Sequence, residues 1–413
     1  MAPRDVITTV AIVLGAGLLA RVVAAAARLP EILLLLASGA IVGPAVAGWI
    51  DVPLDSAGTQ VLLTLGVSFI LFHGGLGLSA RVLSGTAVGL ALLVVPGVVL
   101  TTAITGAVAA AVFHVEPLVG FLVGAALAPT DPAILVPLFD RLRVRPKVAQ
   151  TIVAESALND PTGAVLALAL AGAVASGSDS LSRPALAFVE DVAISTAIGI
   201  GLGLVLALVV SSRRTGIWRE SSAIAVITVV AGAYASIDFA GGSGYLGAFL
   251  AGVIVGNMAE LRHVMHPWHE IEVGIVVAAV ADVAVIFVFV ILGSDLPFDA
   301  IGEHWLPALA VVATLMLVAR PLSVLVCLAA DRRGGWQREE VVFLAWTRET
   351  GVVPAALAGI LVADGIDGAE LVTVCVALAL VVTVMVQSTT KPWLARRLGL
   401  ADGTERERYT ETV

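Results

Sequence analysis

The chain has 413 residues, of which 59% are hydrophobic and 13% are charged, and its mean hydropathy is +1.02. Soluble domains have about 45–50% apolar and about 25% charged residues, so this composition excludes a soluble globular domain and predicts a polytopic membrane protein. The formal net charge of -9 is spread over loops and tails and does not indicate a nucleic-acid partner. We therefore expect the lipid bilayer to surround most of the chain.

Thirteen apolar runs follow one another along the chain, and each is a candidate for a membrane span of roughly 20 residues. They cover residues 6–27, 31–50, 59–79, 86–113, 117–139, 147–176, 185–211, 220–239, 243–258, 273–293, 305–330, 338–363 and 369–390. We number them runs 1 to 13. The predicted fold class is an all-α integral membrane protein with about 13 transmembrane helices.

Charged residues alternate between the two sets of loops that join these runs. Loops after odd-numbered runs carry basic residues such as Arg143, whereas loops after even-numbered runs carry acidic residues such as Asp295. Because basic residues in short loops stay cytoplasmic, we expect a plasma-membrane protein with its N-terminus outside and its C-terminus in the cytoplasm. Lys391 falls in the last basic segment, and residues 392–413 are predicted to be a short cytoplasmic tail.

Short sequence matches indicate an internal repeat. The segment "SGAIVGP" at 38–44 in run 2 resembles "AGVIVGN" at 251–257 in run 9, and "FILFHGGLGLS" in run 3 resembles "FVFVILGSDLPF" in run 10. Both matches are seven runs apart, and an odd offset places the copies in opposite orientations, as in the inverted repeats of secondary transporters. We predict one transmembrane domain over 1–413, with runs 1–6 and 8–13 as inverted repeats and run 7, about 185–211, as a linker.

Run 5 is interrupted at "GAALAPTDPAILVP", where a carboxylate lies between two prolines. The prolines lack amide hydrogens and leave the carbonyl groups of Ala125 and Ala128 without helical partners. Unwound backbone at membrane depth is tolerated only where it is packed in protein or lines a cavity. The freed carbonyls, the Thr130 hydroxyl and the Asp131 carboxylate are oxygen ligands suited to a hard cation. Run 12, which the repeat pairs with run 5, is interrupted at "WTRETGVVPAAL", so two discontinuous helices are predicted.

Run 6 reads "TIVAESALNDPTGAVLALAL" and carries four polar side chains in an otherwise apolar helix. Residues four apart share one helix face, and these pairs are Glu155 with Asn159 and Ser156 with Asp160. An unpaired charge in a membrane helix costs at least ~2.5–3.5 kcal/mol, so both carboxylates need compensation. For Glu155 we favour a structural ion pair with Arg320 or Arg348. For Asp160, beside a neutral Asn159 and near a broken helix, we favour a function in ion binding.

These motifs together resemble those of the NhaP-type monovalent cation/proton antiporters, relatives of the eukaryotic sodium/proton exchangers. The matching segments are "APTDP", followed about 25 residues later by "ESALNDPTG", with "LFHGGLGLS" upstream and "LVARPLSVL" and "TGVVPAALA" downstream. The resemblance covers nearly the whole chain. It implies an NhaA-like antiporter fold with two crossed, partly unwound helices, and a homodimer whose protomers each have a dimerisation domain and a core domain.

The resemblance also implies the roles of individual residues. Asp160 would bind either Na⁺ or a proton, with Ser156 and Thr130 completing the Na⁺ site and Asp131 assisting. Glu155 would hold the core domain together through an arginine. No cofactor is expected beyond the transported ions, and Asn159, which leaves one titratable carboxylate in the pair, favours electroneutral one-for-one exchange.

Two positions depart from the family pattern. Bacterial members often have a glutamate where this chain has His73, which cannot supply a carboxylate; we favour a neutral histidine hydrogen-bonded at a helix contact, and keep it as a possible modulator. The family arginine directly precedes the glycine that corresponds to Gly351. Here Thr350 stands in that place and Arg348 lies two residues earlier, which leaves the partner of Glu155 open.

Three classes of membrane protein compete with a sodium (or lithium)/proton antiporter. A potassium/proton antiporter of the same fold is the nearest, because its site chemistry is nearly the same; such relatives often append a cytosolic domain, and this chain ends about 20 residues after run 13, which favours sodium. A membrane-embedded hydrolase would use Asp131 and Asp160 as paired aspartates, but no second acid/base group accompanies them. A channel would need a continuous polar pore. We therefore expect a transporter and not an enzyme.

Overall fold

The computed structural model describes residues 3–27, 29, 31–51, 56–130, 135, 139, 142–176, 182–211, 217–259 and 267–401. These residues form helices and their connections, with one isolated β-bridge between Val144 and Ala401. In chain order the helices are α1 (Pro3–Ala27), α2 (Glu31–Val42), α3 (Ala57–Leu76), α4 (Ala80–Val94), α5 (Pro96–Phe113), α6 (Pro117–Ala126), α7 (Pro146–Ser176), α8 (Ser182–Val210), α9 (Ser222–Phe239), α10 (Gly244–Gly256), α11 (Pro267–Ser294), α12 (Phe298–Thr314), α13 (Arg320–Ala330), α14 (Arg338–Trp346), α15 (Val352–Ala363), α16 (Ala369–Thr383) and α17 (Thr389–Arg397). Short π-helical turns, Leu315–Ala319 and Val384–Ser388, join α12 to α13 and α16 to α17.

Nine helical segments in the described part of the chain are long and apolar enough to cross a membrane, by length and composition. Four shorter apolar helices accompany them: Glu31–Val42, Pro117–Ala126, Gly244–Gly256 and Val353–Val362. The thirteen segments correspond in order to the thirteen runs predicted from the sequence, since α4–α5 and α12–α13 each form one continuous span. The short helices fall in runs 2, 5, 9 and 12, which are two of the pairs of runs that the predicted repeat relates.

The packing of α2, α3, α10 and α11 involves glycines at positions that the sequence repeat matches. A Cβ atom at Gly39 of α2 would collide with the carbonyl of Val290 in α11, and a Cβ at the matching Gly252 of α10 would collide with the carbonyl of Phe72 in α3. The contacts made by Gly75 and Gly293 obey the same relation, with the carbonyls of Phe249 and Leu36 respectively. Glycine is required at these positions because the backbones approach too closely for a side chain. Matched positions of the two halves therefore make matched close contacts.

The last helix differs from the expectation. We placed its end near 390 and a tail from 392, but α17 continues to Arg397, and the residues from 402 lie outside the described ones. Lys391 does not lie in a solvated basic segment, because its side chain is fully buried in an ion pair with Glu349. Neutralisation by that partner lets the helix carry a cation through the protein interior.

Candidate cation site

The first discontinuous helix ends where the prolines predict. α6 stops at Ala126, and residues 127 to 130 are not helical. The Ala125 carbonyl, which we expected to be freed, accepts a hydrogen bond from the Ala128 amide at 3.1 Å. Asp131 lies outside the described residues, so the role predicted for it stays a prediction. Thr130 is the last described residue of this segment, and it is buried.

Helix α7 is hydrogen-bonded to this unwound segment at Thr130. The Asn159 carboxamide makes two hydrogen bonds to that residue. Its Oδ1 accepts a hydrogen bond from the Thr130 amide at 3.1 Å, and its Nδ2 donates one to the Thr130 Oγ1 at 2.8 Å. The Ser156 hydroxyl donates to the Thr130 carbonyl at 2.8 Å and accepts from the Thr130 hydroxyl at 3.0 Å. The structure thus brings together three of the residues predicted for the site. It gives Asn159 a structural role as well, because it holds the broken backbone in place.

Asp160 is the residue after Asn159 in the chain, and its side chain is buried, with only 3% of the residue exposed. One turn later, α7 passes so close to the unwound segment that a Cβ at Gly163 would lie 2.5 Å from the Pro129 ring. Asp160 is therefore held between two contacts of α7 with the break, one through Asn159 and one through Gly163. Its carboxylate also lies within electrostatic range of Tyr245 on α10, a residue that the sequence did not single out. A carboxylate at this depth in an apolar helix is a candidate ion-binding group.

The partner of Glu155 is Arg320. The guanidinium of Arg320 binds both carboxylate oxygens, with Nη2 at 2.9 Å from Oε2 and Nη1 on Oε1, and both side chains are 3% exposed. The Arg320 Nε donates to the Leu344 carbonyl at 3.1 Å, which ties the pair to α14. Such a bidentate, multiply hydrogen-bonded geometry is what makes a buried ion pair tolerable. Of the two arginines left open by the sequence, the structure selects Arg320.

Arg348, the other candidate, has a different partner. Its Nη2 donates to the carbonyls of Leu127, at 2.9 Å, and Ala128. These carbonyls lie at the C-terminal end of α6, where the helix dipole is negative and a cation is stabilised. We expected the Ala128 carbonyl to serve a transported cation, but here it accepts a hydrogen bond from the arginine. Arg348 therefore connects the breaks of runs 5 and 12.

A second buried ion pair was missed by the sequence analysis. Glu349, in the extended segment between α14 and α15, pairs with Lys391 of α17, and both side chains are 0% exposed. The Ser388 hydroxyl donates to the same Glu349 oxygen at 3.1 Å. The signal was present in the sequence, because a glutamate in an apolar run needs a cation, but Lys391 was interpreted as a loop residue.

His73 stands apart from these hydrogen bonds. It lies in α3, half-buried, and its Nδ1 is buried without a hydrogen-bond partner among the described residues. The expected hydrogen bond at a helix contact is therefore not seen for this nitrogen. The role of His73 as a modulator stays a prediction.

The chemistry of the site favours a hard cation. The groups gathered around the break are the Asp160 carboxylate, the hydroxyls of Thr130 and Ser156, and the Asn159 amide oxygen. Oxygen ligands of this kind suit alkali and alkaline-earth ions better than soft transition metals. Among the described residues of this site, one carboxylate accompanies neutral ligands, which matches the charge of one monovalent cation or one proton.

Comparison with known proteins agrees with this geometry. Residues 10–397 match the family model described as "Sodium/hydrogen exchanger, transmembrane". The chain is 28% identical over 378 residues to the K(+)/H(+) antiporter NhaP2 of Shewanella oneidensis, which covers 89% of this chain and 62% of that protein. It is 26% identical over 336 residues to the probable Na(+)/H(+) antiporter 2 of Methanocaldococcus jannaschii, covering 80% of this chain and 78% of the relative. The chain thus spans only about three fifths of the length of its NhaP2 relatives.

The fold has a close match among solved structures. The sodium proton antiporter MjNhaP1 from Methanocaldococcus jannaschii, solved at pH 8, superposes with a TM-score of 0.78 and 26% sequence identity. The match covers 96% of this chain and 99% of that structure.

Proposed function

Because the chain belongs to the transmembrane sodium/hydrogen exchanger family, we propose that it exchanges a monovalent cation for protons across the membrane by alternating access. The observation that carries this proposal is the position of Asp160, buried in an apolar helix beside an unwound segment whose Thr130 hydroxyl contacts the Ser156 hydroxyl. Asp160 is the group that binds either ion, and Thr130 and Ser156 supply further oxygen ligands. Asp131 is part of the same proposal.

Coupling follows from competition for one carboxylate. A bound cation favours the ionised form of Asp160 and so expels the proton, whereas protonation removes the charge that attracts the cation. The site can therefore cross the membrane loaded with either ion, and exchange results if the empty, charged carboxylate stays on one side. The desolvation cost of a charged carboxylate in the protein interior opposes movement of the empty form.

A cavity of about 980 Å³ lies beside the helix that follows the second break. It opens between the turn after α2, the α11–α12 connection, α15 and α16, and its wall includes Asp295 and Asp299. Ala355 and Gly359 line it from α15, the helix that begins at the second break. Acidic groups at the mouth of such a cavity raise the local concentration of cations. With the predicted orientation this cavity opens to the outside.

Sodium, or lithium, is the cation that we propose, and potassium is the alternative. The relatives themselves divide, since the NhaP2 proteins are named K(+)/H(+) antiporters and MjNhaP1 a sodium proton antiporter. We further propose one-for-one exchange, because Asn159 is neutral and Glu155 is neutralised by Arg320. The loaded site then has the same net charge in both directions.

Ion-driven proton flux in proteoliposomes tests the cation and the stoichiometry together. We expect Na⁺ or Li⁺ to drive proton flux and K⁺ to drive little. We also expect net proton flux to reverse at the same Na⁺ and H⁺ gradients whether the membrane potential is clamped at zero or at a large value. A membrane potential acts with about 2.3 kcal/mol per elementary charge per 100 mV, so an electrogenic cycle would shift that condition. K⁺-driven flux above the Na⁺ level would assign the chain to the potassium alternative, and no flux with any of the three cations would refute antiport.

The same proposal includes the plasma membrane, an N-terminus outside, and a homodimer. In the variant Arg143→Cys the new thiol lies on an exposed residue, and we expect impermeant thiol reagents to label it only from the cytoplasmic side. The parent protein is the control, because Cys327 and Cys375 are buried. Labelling from outside would show the opposite orientation.

The mass of the detergent-solubilised protein, measured by light scattering, tests the proposed homodimer. A monomeric mass would exclude it.

A further inference from the structure

A buried polar cluster that the proposed transport cycle does not use lies where the extended segment between α14 and α15 meets the π-helical turn Val384–Ser388 and α17. The cluster consists of Glu349, Thr350, Gln387 and Lys391, which are all 0% exposed. Two contacts join its sides. The Thr350 amide donates to the Thr383 hydroxyl at 3.2 Å, and Lys391 pairs with Glu349.

Gln387 lies between these two contacts. Thr383, Gln387 and Lys391 follow one another at intervals of four, through the π-helical turn Val384–Ser388. The first contacts Thr350 and the third contacts Glu349, which places Gln387 between two positions where this part of the chain touches the extended segment.

The hydrogen-bonding capacity of the cluster is largely unused within the described residues. Four buried atoms have no partner there: Glu349 Oε2, Thr350 Oγ1, and both the oxygen and the nitrogen of the Gln387 amide. The Lys391 ammonium has three hydrogens and one hydrogen-bond acceptor, Glu349 Oε1, in the same part of the chain. Buried polar atoms almost always have a partner, either protein or ordered water. This concentration of unmatched atoms therefore marks a binding site.

The mixture of unmatched donors and acceptors identifies the ligand. A metal cation would satisfy the Glu349 and Gln387 oxygens but could accept nothing from the Gln387 amide or the Lys391 ammonium. The positive charge of Lys391, with that of Arg320 in electrostatic range, would also repel it. Water both donates and accepts, and buried waters typically make about three hydrogen bonds to such groups.

We propose that ordered water occupies this cluster and bridges Glu349 Oε2 and Thr350 Oγ1 to the Gln387 amide and the Lys391 ammonium. The bound water supplies the hydrogen bonds that a buried ion pair needs beyond its own contact. It fixes the extended segment against the last helix, and so positions Arg348 on the carbonyls of α6. Gln387 is a positioning residue in this scheme.

The variant Gln387→Met tests the proposal by the sign of its effect on thermal stability. Methionine keeps the length of the side chain but removes both polar atoms. If water is bound, the variant removes two of its hydrogen-bond partners, and the water no longer satisfies Glu349 and Lys391 as well. We then expect the melting temperature to fall by several degrees. If nothing is bound, the variant removes two unsatisfied buried atoms, which is neutral or stabilising. An unchanged or raised melting temperature would overturn the proposal, and Gln60→Met, at an exposed position, is the matched control.

An experimental structure at a resolution that shows water tests the ligand itself. We expect density between Glu349 Oε2 and the Gln387 amide, whereas a direct hydrogen bond between those two groups with no density would overturn the proposal. The remaining outcome is a cation, probed in Asp160→Asn so that the transport site does not contribute. Stabilisation of that variant by Na⁺ relative to choline, lost on adding Gln387→Met, would replace water by a cation. Equal melting temperatures in the two salts are the expected result.

Discussion

Asp160→Asn is expected to reduce cation-driven proton movement to the level of liposomes without protein. Asparagine keeps the size and planar shape of the side chain. It can neither take up a proton nor offer a negative charge to a cation. Asp160 is buried beside the unwound segment, and Thr130, Ser156 and Asn159 around it do not titrate at physiological pH. The exchange therefore has no other group, among the described residues of this network, that can alternate between the two ions.

The measurement is Na⁺-driven proton flux in proteoliposomes that contain equal amounts of the parent and variant proteins. Asp282→Asn is a suitable control, because it makes the same chemical change on α11 at a side chain that is 61% exposed, and we expect it to retain transport. Circular dichroism and the elution volume of the purified protein should match the parent for both variants. Substantial exchange by a folded Asp160→Asn protein would show that the coupling carboxylate lies elsewhere, and Asp131 would be examined first.

Glu155→Gln is expected to destabilise the fold by about 3–5 kcal/mol, because it leaves Arg320 buried with no countercharge. The pair is bidentate and both side chains are 3% exposed, so water cannot replace the lost carboxylate without opening the contact between α7 and α13. The Leu344 carbonyl remains as a neutral partner of Arg320 and offsets only part of the loss. The free energy of unfolding in detergent, from denaturant titration or thermal scans, measures the effect.

Two further variants separate the cost of an unpaired charge from other effects of substitution. Glu31→Gln removes a carboxylate from the more exposed pair with Arg21, where we expect a loss of only ~0–1 kcal/mol. The double variant Glu155→Leu/Arg320→Met removes both charges and should recover much of the stability that Glu155→Gln loses. A Glu155→Gln protein as stable as the parent would mean that Glu155 does not hold the core through Arg320.

Local features of the sequence were sufficient to predict the helices, the break in run 5 and the grouping of polar residues beside it. Hydropathy predicted the thirteen runs, because a segment of about 20 residues can cross the bilayer only if most of its residues are apolar. The prolines around "TDP" marked the break in run 5, since a missing amide hydrogen disrupts a helix regardless of its neighbours. The spacing of the polar residues in run 6 placed Ser156, Asn159 and Asp160 close together.

Partners in the folded protein were decided only by the tertiary structure. Glu155 and Arg320 are 165 residues apart, and the sequence offered Arg348 equally; the structure assigns Arg348 to the carbonyls that end α6. Lys391 looked like a solvated residue after the last run, because hydropathy averaged along a chain cannot distinguish a charge in water from a charge neutralised by a distant glutamate. Pairing of buried charges depends on distances between helices, which no local pattern encodes.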